Sequence, residues 1–246
     1  MDYQSIFKRF EIKYILTDEQ KAKITELIVN RMLPDKFPHS SIRNLYFDTD
    51  SFLLIRRSIE KPVYKEKLRL RSYGKVDSLT PVFMEIKKKY KSTVYKRRLM
   101  TTEENALLWS DNRSVPPDCQ IGHEIDYMLK RYQGLKPKMF LSYERDSFRS
   151  ETNSDLRITF DNNIMASTDG LSLSESPHGI SLLPDGLSLM EIKCGGGMPL
   201  WLSCALSELK LNKVSFSKYG AAYKQIILGK NKGEYNYERH NLLGTF

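Results

Sequence analysis

Of 246 residues, 39 are Lys or Arg and 30 are Asp or Glu, a formal net charge of +9 in a chain that is 40% hydrophobic and 28% charged. This composition excludes collagen-like, low-complexity and disordered chains and fits one large domain or two small ones. No apolar run approaches the roughly 20 residues needed to cross a bilayer, and residues 1–9 lead into no apolar leader stretch, so a cytoplasmic protein is expected.

Residues 9–14 alternate strictly, with Phe10, Ile12 and Tyr14 on one parity and Arg9, Glu11 and Lys13 on the other, the period of a strand with one dry and one charged face. Residues 17–33 predict an amphipathic helix: Thr17 and Gln20 form a capping-box pattern, Ile24, Leu27, Ile28 and Met32 recur at helical spacing, and Pro34 ends it. Alternation returns over 64–73, where Leu68 and Leu70 oppose Lys65, Lys67, Arg69 and Arg71. It continues over 82–90, where Met84 and Ile86 oppose Glu85, Lys87 and Lys89, and in the next segment, where Lys96 and Arg98 oppose Arg97. Thr101 with Glu104 predicts a second helix through Leu108, and Ile121, Ile125, Met128, Leu129 and Tyr132 mark a third.

Further on, Leu156, Ile158 and Phe160 oppose Arg157, Thr159 and Asp161, and the Ser-, Gly-, Asp- and Asn-rich stretch 162–186 reads as a hairpin with a mobile tip or a surface loop. Met190 and Ile192 then oppose Glu191 and Lys193. The run Gly195, Gly196, Gly197 suits a backbone anion nest or, more simply, a strand-to-helix turn. Pro199 opens a fourth helix through Leu211, a fifth follows Ser217, and the residues from 229 form a polar tail. No linker divides the chain, so residues 1–228 are expected to form one domain.

Three cysteines (Cys119, Cys194, Cys204) without C-x-x-C spacing give no disulfide framework, and four scattered histidines give no zinc pattern. Phosphate-binding glycine motifs are absent too, yet the positive excess points to a polyanionic partner. Nucleic acid is not expected, because no helix-turn-helix, zinc-finger or RNP-like pattern occurs. The amphipathic helices must cover the apolar parity of the strands. Cationic side chains on neighbouring strands repel one another. The expected fold is therefore α+β, with an antiparallel sheet curled into a barrel or cup whose charged interior holds an anion and whose outside is clothed by helices.

The segments R-F-E-I-K-Y (Arg9 to Tyr14), Y-F-D-T (Tyr46 to Thr49), K-L-R-L-R-S-Y-G (Lys67 to Gly74), M-E-I-K-K-K (Met84 to Lys89), S-Y-E-R (Ser142 to Arg145), L-R-I-T-F-D (Leu156 to Asp161), L-M-E-I-K (Leu189 to Lys193) and F-S-K-Y-G (Phe216 to Gly220), in this order along nearly the whole chain, resemble the catalytic domain of the vacuolar transporter chaperone (VTC) proteins, within the triphosphate tunnel metalloenzyme or CYTH-like superfamily. The resemblance implies an eight-stranded antiparallel tunnel, a divalent Mn or Mg ion, and transfer of the terminal phosphate of ATP onto polyphosphate. By the same resemblance Lys13, Arg69, Arg71, Lys87, Lys96, Arg145 and Arg157 would grip phosphates in catalysis. Lys67, Tyr143, Lys193, Ser217 and Lys218 would bind substrate, and Glu191 would hold the metal, with Glu11 and Glu85 as weaker metal candidates that could instead pair with a neighbouring base. Arg157 could also pair with Asp161, and Tyr143 could be packing. The sensor domain and membrane helices of the fungal relatives do not fit in this chain, which looks like the bacterial stand-alone type, so any membrane partner would be separate. Ser215 stands where a further basic residue is expected. The competing functions are a triphosphatase of the same superfamily, which a tunnel closed at one end would favour, and a non-catalytic polyphosphate-binding module.

Overall fold

The structure is a computed structural model, which describes residues 10–91, 93–151, 155–195 and 197–229. Arg9, Gly196 and the expected tail from 230 onward lie outside the described residues. Eight long strands form one antiparallel sheet. In chain order they are β1 (Phe10–Thr17), β2 (Leu33–Asp48), β3 (Tyr64–Tyr73), β4 (Val82–Tyr90), β5 (Thr93–Thr101), β6 (Lys136–Arg149), β7 (Arg157–Ser167) and, after the two-residue β8 (Ile180–Ser181), β9 (Leu187–Cys194). Their spatial order is β1-β9-β7-β6-β2-β3-β4-β5, with β8 paired to β7.

Among the described residues the sheet curls without closing by hydrogen bonds. Its edge strand β1 approaches the far end of the sheet one strand in from the opposite edge β5, where Glu11 of β1 meets Lys87 of β4, 3.8 Å apart. The free edge of β1 is also covered, because the Val214 amide donates to the Lys13 carbonyl (2.9 Å).

Helices take the apolar parity, as expected. Helices α3 (Glu103–Ser110) and α4 (Gln120–Arg131) lay Trp109, Ile125 and Met128 against Leu68, Leu70, Met84 and Ile86. On the other side α1 (Asp18–Val29) and α5 (Leu200–Glu208) cover Tyr14, Leu16, Ile158, Phe160, Met190 and Ile192 with Ile24, Ile28 and Leu202. Each such fully buried side chain contributes about 1.5–3 kcal/mol, so these two layers hold the sheet in its curl.

A third cluster fills one end of the concave side. There α6 (Lys218–Ala222), continued by a π-helical turn over Tyr223–Ile227, packs Tyr219, Ala221 and Ala222 with Tyr46, Met139, Leu141 and Leu189. Asp48, fully buried, ties this end together. It accepts from the Thr49, Leu54 and Ile55 amides at the start of α2 (Leu53–Ile59) and from the Tyr219 hydroxyl (2.9 Å).

Several sequence expectations need correction. The capping box at Thr17 and Gln20 forms, but α1 ends at Val29, because Leu33 and Pro34 already belong to β2 and pair with Arg149 and Phe148. The residue before a proline is pushed to extended backbone, which ends the helix ahead of Pro34 rather than at it. The second helix is capped by Thr102, whose hydroxyl accepts from the Asn105 amide, while Thr101 is still paired to Val82 in β5. Pro199 is the N-cap of α5 rather than a first-turn residue, and that helix stops at Glu208, two residues before Lys210 takes φ 52°. Stretch 162–186 is not a free tip. Its first residues complete β7, Leu173, Leu182 and Leu183 are buried, and the His178 ring stacks on Phe140 at 4.9 Å. The described glycines after β9 lie in the turn leading to α5, the simpler of the two readings.

Candidate functional site

Strand alternation sends the charged parity of β1, β3, β4, β5, β6, β7 and β9 to the concave side. The register aligns it further: Lys13 is opposite Glu191, Lys193 opposite Glu11, Arg69 opposite Glu85, and Lys67, Lys87 and Lys96 lie in one row across three strands. Ten basic residues gather there, Lys13, Lys67, Arg69, Arg71, Lys87, Lys96, Arg98, Arg145, Lys193 and Lys218, against four carboxylates, Glu11, Glu85, Asp161 and Glu191.

These charges form two knots. At the first, Glu85 is 1% exposed. One of its oxygens accepts from Arg69 Nε (2.8 Å) and Nη2 (2.7 Å), and the other contacts Lys96 Nζ (2.8 Å) and Arg98 Nε (2.7 Å). Burial pushes the Glu85 pKa up, but Arg69, Arg71 and Lys96 outweigh it and hold the carboxyl well below the usual range. Arg71 stands 3.9 Å from Glu85 and is instead aimed by Asn44 Oδ1 (2.9 Å) and the Tyr143 hydroxyl (3.2 Å). Arg69 also donates to the Tyr46 hydroxyl (3.1 Å), and Arg98 to the Tyr73 hydroxyl (2.9 Å).

The second knot joins β1, β6, β7, β9 and α6. Glu191 Oε1 meets Lys13 and Lys218 Nζ, each at 3.2 Å, and its Oε2 faces Arg145 (3.5 Å) and Lys193 (4.0 Å). Asp161, fully buried, is gripped by Arg145 through Nε (2.5 Å) and Nη2 (2.7 Å) and contacts Lys218. Burial alone would raise the Glu191 pKa, yet Lys218, Lys13 and Arg145 hold it well below the usual range, and Lys218 is raised by Asp161 and Glu191 against its own burial. For Lys67 and Lys193 burial wins instead and depresses each to about 8, although Tyr46 opposes it at Lys67 and Glu191 and Glu11 oppose it at Lys193.

Most of the residues named from the sequence thus come together. Tyr143 is more than packing, since Lys218 and Arg145 lie over its ring at 4.6 and 5.2 Å. Ser217 caps α6 and accepts from Lys67 Nζ (3.1 Å). Ser215 is exposed. Arg157 stands apart from the Asp161 pairing considered for it. It is 44% exposed and bonds Asp35 Oδ2 at 2.8 Å, because Arg145 and Lys218 already occupy Asp161. Four site residues escaped the sequence reading of roles: Arg98, Asp161, Tyr46 and Asn44. Arg98 and Asp161 were legible by parity beside Lys96 and Arg157; Tyr46 and Asn44 lie on β2, whose sequence does not alternate.

Among the described residues no three His, Cys, Asp or Glu side chains form a metal cluster. Glu11 and Glu191 nevertheless share Lys13, at 3.2 Å each, and both are held ionised, Glu11 because Lys87 and Lys13 outweigh its burial. Two ionised carboxylates with phosphate oxygens as further ligands fit a hard divalent ion. Glu85 fits less well, since Arg69, Lys96 and Arg98 close on its oxygens at 2.7–2.8 Å, whereas the bases around Glu191 stand at 3.2–4.0 Å.

The family model described as VTC domain matches residues 8–227. Among solved structures, a candidate adenylate cyclase from Bacillus halodurans superposes with a TM-score of 0.52 at 17% identity, covering 84% of this chain and 92% of its own. The PH1819 protein of Pyrococcus horikoshii (TM-score 0.44, 16% identity, 91% and 99% covered) and a candidate adenylate cyclase from Vibrio parahaemolyticus (0.46, 13%, 89% and 98%) are also similar. No curated protein matches the chain.

Proposed function

Since the chain belongs to the VTC domain family and has the CYTH-like tunnel fold, we propose that it is a metal-dependent phosphotransferase that moves the terminal phosphate of ATP onto a polyphosphate chain. The observation that carries this reading is the gathering of ten cations against four carboxylates on one concave face, a field that a multiply charged anion would neutralise.

Phosphoryl transfer needs positioning and charge stabilisation more than covalent help. Arg71 is suited to grip phosphate oxygens bidentately, because a neutral amide and a phenol aim it and leave its charge largely unspent. Lys13, Lys67, Lys87, Lys96 and Lys193 act as point charges along the chain, while Arg69 and Arg145 are fixed by Glu85 and Asp161 and hold the field in place. Glu191 with Glu11 would hold Mn or Mg, which when bound neutralises the oxygens between the phosphates being separated. Arg157 sits nearer solvent and would contribute charge at the rim.

The test is to incubate purified protein with ATP and Mn or Mg and resolve the products by gel electrophoresis. Long-chain polyphosphate is expected, with at least a roughly 10²-fold lower rate in Arg71→Ala. No chain growth from the wild type, or an unimpaired Arg71→Ala, would sink the reading. One observation favours a second reading, a triphosphatase: α6 fills one end of the concave side. Release of orthophosphate without chain growth would support it.

A further inference from the structure

The basic face does not stop at the two knots. Lys67 faces Lys87 and Lys65 faces Lys89 across the β3–β4 ladder, so two lysine pairs stand directly opposite each other. Like charges so placed destabilise a sheet. Among the described residues no carboxylate lies within 4.0 Å of Lys65, Lys67 or Lys89, and Lys87 reaches only Glu11, at 3.8 Å. Burial together with Lys89, Lys61 and Lys87 pushes the Lys65 pKa down.

This ladder lies at the end where α6 enters, yet α6 packs chiefly against β6, β7 and α2. The β3–β4–β5 half of that mouth stays open: Lys87 and Lys96 remain 47% and 44% exposed. From Arg71 to Lys65 is six residues of strand, about 20 Å at roughly 3.4 Å per residue, well beyond the reach of three linked phosphates. Resting on the proposed function, we infer that the Lys67/Lys87 and Lys65/Lys89 pairs form a track that carries a long polyphosphate chain out past α6, so that the protein distinguishes long chains from triphosphate outside the catalytic knots.

Lys89 tests this, because among the described residues its side chain has no hydrogen-bond or ion-pair partner on which folding would depend. Affinities for tripolyphosphate and for polyphosphate of several tens of units are measured over a series of salt concentrations, with melting temperature as the folding check. For the long chain, Lys89→Ala should lose about fivefold at about 0.15 M salt and lower the log–log salt slope by about 0.9. Lys89→Glu, which also cancels Lys65, should lose about 25-fold and lower the slope by about 1.8. Tripolyphosphate affinity should move by less than about twofold in both, since a charge beyond a Debye length is screened. Equal losses for both ligands, or none for the long chain, would overturn the track. So would loss of binding to anionic vesicles with polyphosphate affinity intact, which would make this a membrane-facing patch. If the wild type binds neither phosphate ligand, the proposed function itself fails.

Discussion

Glu85 is the residue on which the first knot turns. It is nearly inaccessible, and three basic side chains end on its two oxygens. Removing one partner of a buried ion pair strands the other, at a cost of about 3–5 kcal/mol, a large share of a domain's usual 5–15 kcal/mol. Glu85→Gln should therefore lower the unfolding free energy, read from urea denaturation, by that much. Tripolyphosphate at about 100 times its Kd should restore about 2.7 kcal/mol, because the anion takes over as counter-charge. A variant as stable as wild type without ligand would mean that solvent already screens the knot. That Glu85 lies on the charged side of its strand, and Lys96 with Arg98 on one side of the next, can be read directly from the sequence. That one carboxylate collects bases from β3 and β5 could not be read, because it depends on which strands are neighbours.

At the scale of elements, α4 shows how a sequence rule can mislead. Gly122 lies in its first turn, where alanine would gain about 1 kcal/mol of helix propensity. A Cβ there would fall 2.0 Å from the Pro117 carbonyl oxygen, a backbone atom that cannot swing aside. Gly122→Ala should therefore destabilise by about 1–3 kcal/mol net, read as a lower melting temperature. An unchanged or higher value would show that residues 117–119 can shift. Strands β1, β3, β4, β7 and β9 and helices α1 and α4 were legible because each sets apolar side chains on one face and polar or charged ones on the other, which leaves a period of two or of 3.6. β2 was not. Its inner face carries Ile42, Asn44 and Tyr46 and its outer face Arg43, Leu45 and Phe47, and all are buried, so no polar parity marks it. Inner β6 likewise mixes Met139, Leu141 and Tyr143 with Arg145, because α6 fills the end it faces.

For the whole molecule, the basic interior carries its positive charge at a cost. Burial holds Lys67 at about 8, and the Arg69, Lys67 and Arg71 charges bring the Tyr46 phenol to about 8 despite its burial. Both folded values lie below their unfolded ones, so from about pH 8 to 10 the unfolded chain binds more protons, and the empty protein gains stability as pH rises. A bound phosphate chain favours charged Lys67 and neutral Tyr46. Binding should therefore take up protons, and affinity should fall over the same window. Calorimetric titration with tripolyphosphate in two buffers of different ionisation enthalpy would measure the uptake. Proton release, or none, would contradict the electrostatic account.

The alternating strands, the capped amphipathic helices and the positive surplus were fixed by the order of residues, since each is a local period or a count. The pairing of β1 with β9 and of β3 with β4 and β5, which turns scattered Lys, Arg and Glu into two knots, was decided only in three dimensions. So was the entry of Lys218 between Asp161 and Glu191. These contacts join residues far apart in the chain. A charge pattern along one strand says which face is wet but not which strand will lie beside it, nor which helix will fill the end of the hollow.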